Sequence, residues 1–204
     1  ARPPQVPFNS PQLPPPPPSP PSPPPPPPMS TTYYFLFTAV RGEWNQGATG
    51  EIQLAEVRLF GLPTDEYPLG KPVPVASAEN PFGVHLREPE EGPDSLIDGD
   101  NATKWTDTNA GSQPDGCTTC MRSEVILTLQ GAHYVNAYEL TTAPDNSRRD
   151  PTDWEFWMVR DDGVNILLSS VAGADPPEER STVYPDRFYA VTPPSPPIAP
   201  PPSP

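Results

Sequence analysis

The chain has 204 residues, 38 of them proline, and a formal charge of −14. Residues 1–30 and 192–204 hold 25 of those prolines and contribute Arg2 as their one charge, so the segment between them carries −15. That acidic balance argues against nucleic acid or an anionic membrane surface as partner, and no apolar run approaches the ~20 residues of a membrane-spanning helix.

In chain order, the first element is a proline arm over residues 1–30. Its densest part reads PPPPPSPPSPPPPPP, from Pro14 to Pro28. Proline fixes φ near −65° and has no N–H to donate, which excludes the run from helix interiors and sheet ladders. It is predicted to form polyproline II, rising ~3.1 Å per residue with its backbone open to solvent, so the run spans roughly 45 Å. The chain begins at Ala1 rather than Met, which is read as a mature or excised piece.

Residues 31–191 are about the size of one domain and read as strands. The runs are Tyr33–Val40, Glu51–Phe60, Glu124–Leu129, Val135–Thr142, Trp154–Arg160 and Asn165–Ser169, with Tyr184–Val191 as a last candidate. Turn clusters such as NQGATG, DNSRRDPTD and DDG separate them. In the second run Ile52, Leu54, Val57 and Leu59 alternate, with a phase slip at Ala55–Glu56 of the kind a bulge produces. No stretch keeps a 3.6-residue apolar period for three turns, so long helices are not expected. The pattern predicts an all-β fold, a single β-sandwich. A second arm, residues 192–204, follows.

Two cysteines occur, in CTTC at Cys117 and Cys120. The spacing suits a zinc half-site, a redox pair or a local disulfide. Zinc needs four ligands, and His85 and His133 are isolated. The flanks also lack the strand–helix setting of a thioredoxin-like motif. A loop staple in an oxidising compartment is the expected reading.

Three segments together resemble the galactose-binding-like β-sandwich, the discoidin or coagulation-factor C-type jelly roll. They are SLIDGDNATKW (Ser95–Trp105), YELTTAPDNSRRDPTDWEFWMVRDDG (Tyr138–Gly163) and IQLAEVRLFG (Ile52–Gly61). The third resembles the family's closing strand, yet here it precedes the other two. A permuted member is expected, with Tyr33–Gly61 forming a hairpin that supplies the closing strand first. Trp105 and Trp154 are expected in the core, and Trp157 on the face opposite Trp154.

Asp98 and Asp100 flank a glycine, and Thr103 follows three residues later. Hard oxygen donors on a tight loop suit calcium, while a metal-free turn held by aspartate-to-backbone bonds is the alternative. The resemblance implies a structural calcium ligated by the side chains of Asp98, Asp100, Thr103 and Glu56, with the Ser95 carbonyl as a backbone ligand. Asn101 heads an N-x-T glycosylation sequon that overlaps this loop.

Trp44 lies in the polar loop RGEWNQGATG, where an exposed aromatic can meet a sugar face or a partner. Arg148 and Arg149 precede Asp150, open either to an internal Arg–Asp brace or to glycan contact. No nucleophile elbow, zinc-protease motif or phosphate loop occurs. The acidic pairs Glu90–Glu91, Asp161–Asp162 and Glu178–Glu179 sit in turn-like settings that suit a solvated surface better than glycosidase carboxylates.

The Ser-Pro and poly-Pro tracts resemble hydroxyproline-rich glycoproteins, the extensin-like and pherophorin-like wall proteins of plants and green algae. That resemblance implies hydroxylation and O-glycosylation of Pro14, Pro15, Pro16, Pro17, Pro18, Pro20, Pro21, Pro23, Pro24, Pro25, Pro26, Pro27 and Pro28. An unmodified linker and an SH3- or WW-type ligand are the other readings of such a tract. The expectation is a non-enzymatic extracellular structural glycoprotein of a cell wall, matrix or ciliary-surface fibre such as a mastigoneme. Its partners would be other extracellular glycoproteins, copies of itself or cell-wall glycans, with no nucleic acid and no membrane insertion. The alternative is a carbohydrate-binding module tethered by proline-rich linkers.

Overall fold

The computed structural model describes residues 29–42, 50–84, 90–108 and 122–190. Among them are eleven strands: β1 (Ser30–Val40), β2 (Ile52–Leu54), β3 (Glu56–Phe60), β4 (Pro72–Val73), β5 (Val75–Glu79), β6 (Trp105–Asp107), β7 (Ser123–His133), β8 (Ala137–Thr141), β9 (Pro151–Val159), β10 (Asn165–Val171) and β11 (Phe188–Tyr189). The only described helical turns are two short 3-10 segments, Pro93–Leu96 and Ser147–Arg149. The fold is all-β, and every pairing is antiparallel.

A five-stranded sheet runs β10-β9-β1-β7-β5, a four-stranded sheet runs β11-β8-β3-β4, and β2 pairs with β6 alone. β1 is central because its alternation is strict: Tyr33, Phe35 and Phe37 are fully buried on one face, with Tyr34 and Leu36 half-buried on the other. The two large sheets meet across an aromatic core. Phe35 of β1 meets Tyr138 of β8 edge-on at 5.0 Å, and Phe156 of β9 lies 4.8 Å from the same ring. The Trp154 indole N–H donates to the Tyr138 hydroxyl at 2.8 Å, which satisfies a buried donor between the sheets. As their positions in the pattern suggest, Trp105 and Trp154 are buried, and Trp157 is only half-buried.

Two expectations are corrected. Tyr33–Gly61 is not a hairpin: β1 pairs with β7 and β9, whereas β3 pairs with β8 and β4 in the opposing sheet. The run Glu51–Phe60 is also not one bulged strand. It divides at Ala55, whose N–H turns to the Thr141 carbonyl at 2.9 Å, so β2 and β3 serve different sheets. The alternation there is lost because Ile52 through Val57 are all buried, polar Gln53 and Glu56 included. Burial on both sides leaves no solvent face to produce a period of two.

Strands β4, β5 and β6 escape the sequence pattern. PV and WTD are too short to show a period, and VASAE lacks bulky residues on either face. Their pairing partners alone make them strands.

The first and last described strands begin and end at the same pole. Ser30, the first residue of β1, pairs with His133 at the end of β7. Tyr189 pairs with Ala137 at the start of β8, and the Ala190 N–H donates to the Asn136 carbonyl at 2.8 Å. His133 and Asn136 are three residues apart, a reach of at most ~10 Å.

Candidate functional site

The loop from Asp98 to Thr103 is built by short polar side chains closing on their own backbone. Asp98 Oδ1 accepts the Asp100 N–H at 2.8 Å, and Asp100 Oδ1 accepts the Ala102 N–H at 2.9 Å. The Thr103 hydroxyl lies 2.7 Å from Asp98 Oδ2 and 2.8 Å from the Asp100 carbonyl. Gly99 stands at φ +81°, the left-handed region that a side chain disfavours, and this lets the two aspartates turn about it.

Glu56 reaches this loop from 43 residues away, the first residue of β3 and itself buried. Its Oε1 accepts the Gly99 N–H at 2.7 Å. Burial is the main force on its carboxyl, and the adjacent Asp98 carboxylate adds to it. Together they push Glu56 up to about 7 against the opposing Gly99 N–H. Two carboxylates facing each other under partial burial call for a proton or a cation between them.

The donor set suits calcium in kind: carboxylate, hydroxyl and carbonyl oxygens on a tight loop. No three His, Cys, Asp or Glu residues come together as a metal cluster among the described residues. A calcium held here by Glu56 and Asp98 would therefore draw its other ligands from the Thr103 hydroxyl and backbone carbonyls. The Asp100 side chain is committed to the Ala102 N–H through one oxygen. Ser95 lies in the neighbouring 3-10 turn, buried, with its hydroxyl donating to the Glu90 carbonyl at 3.3 Å.

Asn101, on the same loop, accepts a bond from the Ser181 hydroxyl through its carbonyl at 2.9 Å, and its side-chain oxygen is buried without a hydrogen-bond partner. Lys104, which the motif reading passed over, bridges the loop to its surroundings. Its Nζ lies 2.7 Å from Asp145 and 3.8 Å from Glu91. A lone lysine inside an acidic stretch was the available signal.

The Arg148–Arg149 loop is braced internally, with Asp150 held by an arginine from elsewhere in the chain. Asp150 is fully buried and held by both guanidinium nitrogens of Arg180 at 2.6 Å each. Arg149 pairs with Glu51, and the Arg148 carbonyl accepts the Gly42 N–H at 2.8 Å. Arg180 lies 30 residues from Asp150, so no local motif could name it.

Two of the three acidic pairs have a member in a surface ion pair, whereas Glu91 of the third is largely buried beside Lys104. Glu178 binds Arg41 at 2.9 Å, and Asp162 binds Arg160 at 2.9 Å. Trp44, Cys117, Cys120 and the prolines of both arms lie outside the described residues. No family model, no curated protein and no solved structure matches the chain.

Proposed function

We propose that this protein is a non-enzymatic extracellular structural glycoprotein of a cell wall, matrix or ciliary-surface fibre such as a mastigoneme. In it a β-sandwich of galactose-binding-like jelly-roll type docks or spaces glycosylated polyproline rods. The observation that carries this reading is the pair of proline-rich arms flanking a folded all-β unit whose first and last described strands begin and end at one pole. A domain tethered at one pole hangs beside its rods instead of lying in line between them. Its flanks and far end are then free to meet neighbouring subunits.

The opposed five- and four-stranded sheets, and the meeting of Glu56 with the Asp98 loop, support the jelly-roll assignment. Glu56, Asp98 and Thr103 would hold a structural calcium that pins β3 to the loop. Such an ion supplies rigidity and no reaction step.

Mass spectrometry of the native protein tests the class directly. Hydroxyproline carrying pentose or hexose between Pro14 and Pro28 is the expected result. Sedimentation of the full chain, with arms intact and modified, tests the assembly. A strictly monomeric protein that binds no wall or fibre component sinks the reading.

A further inference from the structure

The outward face of the five-stranded sheet carries an apolar row that the core does not use. In register across four strands stand Leu167 of β10, Trp157 of β9, Tyr34 of β1 and Ile126 of β7. The Tyr34 and Trp157 rings stack at 5.9 Å with planes 3° apart, and Leu167 is 42% exposed. At 4.7–4.9 Å between strands the row is roughly 14 Å long.

Tyr34 and Trp157 form a stacked cross-strand pair, and the Trp157 indole is further held at its polar end, where Nε1 donates to Glu155 at 3.0 Å. Cross-strand pairs of this kind stabilise a sheet. Half-buried aromatic residues held by both packing and hydrogen bonds are also pre-organised for a ligand, because little freedom is lost on binding.

We propose that this row is the docking surface for the polyproline rod Pro14–Pro28 of a second copy of the chain. The inference rests on the rod-docking function above and names its surface. A polyproline II rod offers flat pyrrolidine faces and no donors, so it is read chiefly by stacking on exposed aromatic rings. The row is about one and a half turns of such a rod in length. The rod is uncharged, so it meets no repulsion from Glu124 and Glu155, which flank Leu36 in the next row. Where its prolines are hydroxylated and free of sugar on the docking face, these carboxylates also offer acceptors to the hydroxyls.

Docking in trans follows from where the rod starts. β1 begins at Ser30, and Met29 alone separates it from Pro28. A reversal over its own Tyr34 face would have to be made within the proline run, whose fixed φ resists it, so a second copy is the occupant proposed.

The test uses the full chain and a synthetic peptide, PPPPPSPPSPPPPPP, in proline and 4-hydroxyproline forms. Titration should change tryptophan fluorescence, and Leu167→Glu should weaken binding about tenfold by placing a charge on the row. Leu167 lies at the exposed sheet edge, so an unchanged melting temperature is expected for that variant; Trp157→Ala provides the second, larger truncation. Self-association of the full chain should fall in parallel. Equal peptide binding by wild type and both variants, with association intact, overturns the surface but leaves rod docking standing. A full chain that stays monomeric and ignores both peptides overturns both. Fluorescence that responds to a neutral oligosaccharide such as a β-linked glucose hexamer and to neither peptide overturns the proposal in favour of a glycan platform.

Discussion

Glu56 is pushed up to about 7 from an ordinary value of 4.5 by burial and by Asp98. Because the folded state keeps the proton where the unfolded chain has released it, the contribution of this group to stability is fully present below about pH 4.5 and is lost as pH rises through about 7. In calcium-free buffer the melting temperature attributable to this group should therefore fall across that window, and Glu56→Gln should flatten the dependence. Thermal scans at several pH values check this. Calcium should raise the melting temperature at pH 7.5, and Asp98→Ala should abolish the increase. If chelation leaves wild type unchanged, the calcium assignment is wrong. Gly99→Ala, at φ +81°, should cost about 1 kcal/mol by strain in the loop. The loop's aspartates and threonine were legible in the sequence because they are adjacent. No local pattern marks Glu56 as their neighbour, since 43 residues separate it from the Gly99 N–H it binds.

At the scale of elements, the long strands announced themselves and the short ones did not. β1, β7 and β9 have alternating faces of large residues, so their period survives whatever packs on them. Phe35 is fully buried between the sheets, and Phe35→Ala should cost about 4 kcal/mol in denaturant unfolding. The segment Ile52–Phe60 shows the opposite case. Its division at Ala55 is imposed by the Thr141 carbonyl and by two different partner strands, neither of which its own residues reveal. The start of β9 is tied to the segment before β11 by the Asp150–Arg180 pair. Arg180→Ala leaves a buried carboxylate uncompensated and should destabilise by about 3 kcal/mol. Asp150→Asn combined with Arg180→Met should recover part of that loss, which a double-mutant cycle will show.

Over the whole molecule, 26 acidic residues face 12 basic ones. Self-repulsion at that imbalance is screened by salt, so the melting temperature should rise by a few degrees between roughly 20 and 200 mM sodium chloride. A flat response would mean that the local pairs, such as Lys104–Asp145 and Arg41–Glu178, already compensate the excess. Composition and pattern by themselves determined that the chain has proline-rich ends and that the part between them is β-structured. That conclusion rests on local properties: branched or aromatic side chains that alternate along one segment. Tertiary structure alone decided which strands are neighbours, that Arg180 neutralises Asp150, that Tyr34 and Trp157 share one outward row, and that the first and last described strands begin and end at one pole. Each of these joins residues distant in sequence, and long-range pairing is set by the mutual fit of two surfaces, which neither segment encodes by itself.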